Sequence, residues 1–341
     1  MEKGYELSDV LLIPRHSRIT SRNEPDISVD IKGLHLEVPI IASPMKGIVG
    51  VTLIREIAKL GGIGILHRFW KDKHEMLDTV ASLSKYNIPF GISTGLEDTN
   101  YTALRAEEAR MLVLDVANGY LSKVIDRVKL LREWIDKFYF GVILVAGNVV
   151  TYEGARALKD AGADIVRVGI GNGSLCVTRN TTGVGVPQLT ALQNTCGTHM
   201  KVRTIDQQMD GLWYTNINKN YAVISDGGVK YPGDMAKALA AGADLVMLGS
   251  PLANTFEAET GSTIYGMASA RIANYMGKEV KSIEGMEIPA PKKTRSLEDL
   301  VNEFSYGLKS CMTYMNAKNL QELRDNADWI CVGSNSLTNT L

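Results

Sequence analysis

The chain is short of cysteine: four occur in 341 residues, at positions 176, 196, 311 and 331, and none forms a CxxC pair. That argues against a disulfide framework and against a cysteine-ligated zinc site, and it makes a reducing cytoplasm the natural setting, with free thiols. Charge of one sign is also missing. Lys and Arg total 37 against 38 Asp and Glu, for a net charge of −1, so no broad field attracts nucleic acid or an anionic membrane. No apolar run approaches the roughly 18 residues that a membrane span needs. The first residues, "MEKGYELSDVLLIPRH", mix charge into their apolar part and do not read as a secretory signal. The dinucleotide fingerprint GxGxxG follows none of the apolar runs; "GIGNGS" has Ser174 where the third glycine would fall.

What the chain does have is a series of short apolar runs rich in β-branched residues: residues 38–45, 63–67, 88–94, 111–119, 142–148, 164–171, 221–228 and 244–250. Their hydrophobicity is continuous rather than alternating, which is the habit of parallel strands buried on both faces. Helical patterns lie between them, such as "VTLIREIAKLGG" and "LSKVIDRVKLLREWIDKF". In the second, Val124, Ile125, Val128, Leu130, Leu131 and Ile135 fall roughly at helical spacing and are expected to face the core. Eight strands alternating with helices predict a (β/α)8 TIM barrel, with an open doubly wound sheet as the alternative. "AGADIVRVG" (161–169) and "AGADLVMLG" (241–249) repeat one helix–turn–strand unit 80 residues apart, as a fold of repeated units would. Residues 1–341 are expected to form one domain. The excess after position 250 supplies a glycine-containing loop, a charged patch "APKKTR" and a helical carboxyl end.

The strand ends carry Ser43, His67, Ser93 with Thr94, Asp115, Asn148, Gly169, Asp226, and Gly249 with Ser250. Loops are polar in general, but a polar group or a glycine at all eight ends fits the active-site rim of a barrel better. "SDGGVKYPGDMAKAL" ends the seventh strand on Asp226, Gly227 and Gly228 and opens a helix near Pro232, while "MLGS" ends the eighth. Amides freed by glycine, with a helix amino terminus, suit a phosphate; two tight turns would use the same glycines. A carboxylate at Asp226 suits ribose hydroxyls. Cys176 lies in a glycine-rich loop beyond the sixth strand, with Ser174, Thr178 and Arg179 near it. On these residues alone it is either a reactive thiol or an inert one, and inert is the reading for Cys196, Cys311 and Cys331.

"GIGNGSLCVTRNTTGVGVPQL" (169–189) resembles the cysteine loop of the IMP dehydrogenase/GMP reductase family. "SDVLLIP" (8–14), "PIIASPM" (39–45), "GGIGILH" (61–67), "AGNVVT" (146–151), "SDGG", "MLGS", "YGM" (265–267), "EG" (284–285) and "AKNLQELRDNA" (317–327) match its landmarks in order. "DVANGY" (115–120) and "TRNTTGVGVPQL" (178–189) are similar to the reductase branch. The segment from Met267 to Glu284 is short and lacks the Arg-Tyr pair with which dehydrogenases activate water. "LHRFWKDKHEMLDTV" runs on into the third strand without the regulatory CBS domain that many dehydrogenases insert there.

The resemblance implies reductive deamination of GMP to IMP, with NADPH as reductant and Cys176 as the nucleophile that attacks purine C2. Thr178 and Glu284 would shuttle protons. It implies a nucleotide held by Met45, Ser174, Asp226, Gly227, Gly228, Gly249, Ser250, Tyr265, Gly266, Met267, Ala268 and Gly285, with a flap over about 261–290. A cofactor surface would involve Ser21, Arg22, Arg68, Asp115, Val116, Ala117, Ile170, Gly171, Ser310, Cys311, Met312 and Thr313. Backbone carbonyls of Gly171, Gly173 and Cys176 would hold a monovalent cation such as K+, and the assembly would be a homotetramer. The chain departs from the family in three places: Asn172 stands where reductases usually have proline, the stretch between Gln188 and Ser225 is long, and that between Ser250 and Tyr265 is short. Three other readings stand beside this one. They are an IMP dehydrogenase using NAD, a flavin-dependent barrel oxidoreductase binding FMN through "DGG…GADLVMLGS", and a non-catalytic nucleotide-binding regulator.

Overall fold

A computed structural model describes residues 3–97, 109–139, 141–197, 202–203, 209–210, 219–280 and 283–332. Eight parallel strands close into a barrel. They are β1 (Ile40–Ala42), β2 (Ile63–Leu66), β3 (Phe90–Thr94), β4 (Ala109–Asp115), β5 (Ile143–Val149), β6 (Ile165–Val168), β7 (Ala222–Asp226) and β8 (Leu245–Leu248). Each falls on one of the eight apolar runs, although β4 starts before its run, at Ala109, and β5 ends after its run, at Val149. β6 pairs with β7, and β8 closes on β1 with Val246 opposite Ile40. Among the described residues, helices return the chain after β1 (Val51–Lys59), β2 (Lys73–Ser84), β4 (Ser122–Phe138), β5 (Tyr152–Asp160), β6 (Gln188–Cys196), β7 (Pro232–Ala240) and β8 (Leu297–Tyr314). The helix after β7 opens on Pro232, whose fixed φ suits the first helical position.

Strand side chains alternate between two cores. Ile41, Ile63, Ile65, Met111, Val113, Ile143, Val145, Ile165, Ile224, Leu245 and Met247 fill the barrel interior. Their neighbours Ile40, Leu112, Leu144, Val166 and Leu248 pack outward beneath the helices. A hairpin of Val29–Ile31 and Leu34–Leu36 plugs the amino-terminal mouth, where Leu34 and Leu36 join the interior core. Burying two leucines contributes about 1.5–3 kcal/mol each. The outer helix face is narrower than the spacing suggested. Val124, Val128, Leu131 and Ile135 are buried, Ile125 is half-buried, and Leu130 is 57% exposed because it falls on the solvent side of Ser122–Phe138.

The sequence repeat proves to be a structural device. Gly162 and Gly242 end their helices at φ +110° and +107°, a region that disfavours other residues. Two residues on, Asp164 accepts the Leu144 N–H of the neighbouring strand at 2.8 Å, and Asp244 accepts the Val223 N–H at 2.8 Å. Each carboxylate also meets two cations, Lys32 and Arg132 for Asp164, Lys219 and Arg324 for Asp244. Those cations hold Asp244 below the ordinary carboxylate range although burial pushes the other way.

The carboxyl end corrects the expectation of helix alone. After Leu297–Tyr314 and Leu320–Asp325 the chain forms a strand, Trp329–Cys331, antiparallel to Val10–Leu12. Two of the three cations in the "APKKTR" patch are engaged. Arg295 pairs with Glu303, and Lys293 donates to the carbonyl of Ala258. Within the long segment between Gln188 and Ser225, residues 198–201, 204–208 and 211–218 lie outside the described residues. Among the described residues no helix is long and apolar enough to cross a membrane.

Candidate active site

On three strands the inward row turns polar at the carboxyl-terminal end. Above Val113 comes Asp115, above Ile165 comes Arg167, and above Ile224 comes Asp226. Arg167 joins the two carboxylates: its Nη1 lies 2.6 Å from Asp115 Oδ1 and its Nε lies 2.9 Å from Asp226 Oδ2. Arg68 approaches Asp115 from the other side at 3.4 Å. Burial alone would weaken the guanidinium's hold on its proton; Asp226 and Asp115 outweigh that and raise its pKa. Asn148 donates to Asp226 Oδ2 at 2.7 Å. Both bonds fall on one oxygen, so among the described residues Oδ1 remains open to a ligand. Motif reading missed Arg167, although an arginine inside the apolar run "DIVRVGIG" was a signal.

Beyond β6 the chain makes the cysteine loop. Cys176 Sγ lies 3.1 Å from Thr178 Oγ1, and that hydroxyl donates to Glu284 Oε2 at 2.8 Å. The contact spans 106 residues and is fixed by backbone pairing: Val177 N–H donates to Glu284 O at 2.9 Å, and Met286 N–H donates to Leu175 O at 2.9 Å. The Glu284 segment leads into a two-stranded unit, Thr263–Tyr265 with Glu287–Pro289, within the stretch expected to form a flap. Thiol, hydroxyl and carboxylate thus stand in series, an order that can carry a proton away from sulfur.

They line one cavity of about 690 Å³ on the rim. Met45, Ser174, Asp226 to Gly228, Gly249, Ser250, Gly266 to Ala268 and Gly285 line it too, as do Arg68, Asp115 to Ala117 and Ile170 to Gly173. Tyr265 does not; it is buried with Phe69 and Ile272, and its hydroxyl fills the space beside Gly47. Ser21, Arg22 and Thr313 line a second cavity of about 550 Å³, which has no lining residue in common with the first. There Arg22 lies over the Tyr306 ring. Met312 is fully buried in the core, and burial pushes the Cys311 thiol up to about 11. Among the described residues no three His, Cys, Asp or Glu side chains gather to hold a metal.

His67, at the end of β2, is buried and stacked on Trp70, its ring nitrogen Nδ1 accepting the Phe69 N–H at 3.2 Å. Burial, with Lys46 adding to it, lowers its pKa to about 3, so it is a neutral structural acceptor.

Fold and site together define a (β/α)8-barrel protein whose rim presents a thiol on a hydroxyl–carboxylate relay beside a nucleotide-sized cavity. The family model of the IMP dehydrogenase / GMP reductase domain matches residues 4–340, and the chain belongs to that family. It is similar to the GMP reductases of Streptococcus pyogenes serotype M1 and of serotype M4 strain MGAS10750. Each is 32% identical over 98% of this chain and 97% of the relative. The GMP reductase of serotype M49 strain NZ131 is 31% identical over the same shares.

Proposed function

We propose that the chain is a GMP reductase that converts GMP to IMP and ammonia. The observation that carries this reading is the Cys176–Thr178–Glu284 series at 3.1 and 2.8 Å on the cavity wall. Cys176 passes its proton through Thr178 to Glu284, and sulfur bonds to purine C2. The relay then returns a proton to the C2 amino group, the C–N bond breaks, ammonia leaves and C2 is held to sulfur as a thioimidate. NADPH supplies the hydride that reaches C2. The C–S bond then breaks and the thiolate is regenerated, so that GMP, NADPH and two protons give IMP, NADP+ and ammonium. Gly228, Gly249, Ser250 and Ser174 take the phosphate, and Asp226 Oδ1 takes a ribose hydroxyl.

The apolar lining of the cavity supports placing a nicotinamide beside the purine. Val116, Ala117, Tyr120, Thr182 and Val184 line it together with Cys176, and Tyr120 and Val184 are exposed apolar side chains. Ser21, Arg22 and Thr313 line the other cavity, and we assign them to the cofactor of a neighbouring copy in a homotetramer. A cation on the carbonyls of Gly171, Gly173 and Cys176 belongs to the same reading. The Cys176 N–H to Gly173 O bond at 3.0 Å makes the turn that would gather two of them; titrating K+ against turnover tests it. A free thiol nucleophile suits a reducing cytoplasm.

The test is incubation with GMP and NADPH, then with IMP and NAD, following nicotinamide absorbance. Oxidation of NADPH that depends on GMP, with release of ammonia, is the expected result. Reduction of NAD by IMP alone would make the protein a dehydrogenase instead.

A further inference from the structure

The two legs of the cysteine loop are pinned to one distant carboxylate. Arg179 follows Cys176 by three residues, and its Nη1 is paired with Glu6 Oε1, 173 residues away in sequence. Its Nη2 donates to Val186 O at 2.9 Å. To get there its side chain is threaded between two glycines. A Cβ on Gly171 would stand 2.6 Å from Arg179 Cγ, and one on Gly185 would stand 2.7 Å from it, so neither position has room for another residue. The other oxygen of Glu6 accepts the Gln188 N–H at 2.8 Å.

Gln188 is fully buried and ties this corner to the barrel. Its Nε2 donates to Val168 O at the end of β6 and to Ser225 Oγ in β7, both at 3.0 Å. Its Oε1 accepts from Asn172, four residues before Cys176. Asn172 is the residue that stands where a proline was anticipated. A proline would fix that leg through its own ring; here a side-chain bond to Gln188 does so. Glu6 is itself held. Asp9 Oδ2 accepts its N–H at 2.8 Å, Tyr5 pairs with Thr190, and Lys237 donates to the carbonyl of the buried Leu7.

We infer that Glu6 is a positioning residue for Cys176: an amino-terminal strap across the rim fixes both legs of the cysteine loop through Arg179 and Gln188. Thr178 adjoins Arg179, so releasing Arg179 lets Thr178 drift from the thiol and opens the relay. This rests on the reading that Cys176 is the nucleophile.

The test compares Glu6→Ala and Glu6→Gln with the unmodified full chain. It reads kcat and KM for GMP, the rate at which iodoacetamide alkylates Cys176 (followed at that residue by mass spectrometry), and thermal unfolding. Displacing a reacting group by about 1 Å can cost on the order of a hundredfold, so Glu6→Ala should lower kcat at least about tenfold. KM for GMP should change much less than kcat, because the proposed nucleotide contacts other than Ser174 lie off the loop. Alkylation should slow, and Thr178→Val, which removes the hydroxyl beside the thiol, should slow it in the same way. Glu6→Gln keeps an acceptor for the Gln188 N–H and should fall between. Alkylation reports on the loop whatever the substrate is. An unmodified protein that ignores GMP, with alkylation still slowed in Glu6→Ala, would reject the functional reading and keep this one. Alkylation and kcat at the unmodified values in folded Glu6→Ala, or a loss confined to thermal stability in both variants, would overturn it.

Discussion

The proposed chemistry asks for sulfur at position 176. A hydroxyl in its place would keep the bond to Thr178, but an alkoxide is far less available than a thiolate at neutral pH. Cys176→Ser should therefore bind GMP in calorimetry nearly as before and lose essentially all NADPH oxidation. GMP reduction at near the unmodified rate would end the covalent mechanism. Glu284→Gln keeps an acceptor for Thr178 but cannot take its proton. Turnover should fall about 10²- to 10⁴-fold while GMP binding persists; equal losses in both would show that Glu284 only shapes the site. His67 makes a prediction in the opposite direction, about stability. Its pKa falls from 6.5 unfolded to about 3 folded. Between those values the unfolded chain binds the extra proton, so stability is intact above about pH 6.5 and declines by up to about 1.4 kcal/mol per unit as pH falls toward 3. Denaturant titrations at pH 7 and pH 5 should show that decline in the unmodified protein and a flatter profile in His67→Gln. Equal slopes would remove His67 from the account.

At the next scale, what was legible depended on whether a signal is local. All eight barrel strands could be placed because each is a short apolar run bounded by glycine or polar residues, and Cys176, Thr178 and Glu284 because the resemblance carried them. Glu6, Arg167 and Gln188 escaped because their meaning lies in partners 173, 59 and 37 residues away. The strand Trp329–Cys331 escaped for the same reason, its partner being Val10–Leu12. Leu130 was misplaced because, at about 100° per residue, it stands roughly 200° round the helix from the buried Val128 and so faces solvent. The duplicated "AGAD" unit was visible as a repeat, but not as a pair of carboxylates stapling neighbouring strands. Asp244→Asn should leave the Val223 bond partly intact while freeing Lys219 and Arg324. The cost should be about 2–3 kcal/mol, below the range for deeply buried pairs because both cations touch solvent. The charge stabilises above the ordinary carboxylate value of 3.8 and is lost as pH falls through the lowered one. The difference between Asp244→Asn and unmodified protein in denaturant midpoints should accordingly shrink below about pH 4. A constant difference would mean that the amide, not the charge, is what matters.

The largest scale decides whether one chain is a working unit. The relay stands on the 690 Å³ cavity, whereas Ser21, Arg22 and Thr313 stand on the 550 Å³ one, and no residue lines both. If both serve one cofactor, as proposed, the second cavity must come from a neighbouring copy. An inactive variant and a cofactor-weakened one should then repair each other at low NADPH. Cys176→Ser lacks the nucleophile but offers an intact Arg22 to its neighbour. Arg22→Ala keeps the thiol but offers its neighbour a damaged cofactor surface, and should raise the KM for NADPH with little change in GMP binding. In hetero-oligomers formed by mixing and reassembling the two, some interfaces pair an intact Cys176 with an intact Arg22. Activity should then rise above the sum of the separate preparations. Assembly by mass action also implies that specific activity falls on dilution as oligomers part, in step with the mass seen by light scattering. Strictly additive activity in verified mixed oligomers, or full activity in a verified monomer, would show that each chain binds its cofactor alone and that the Arg22 cavity serves something else.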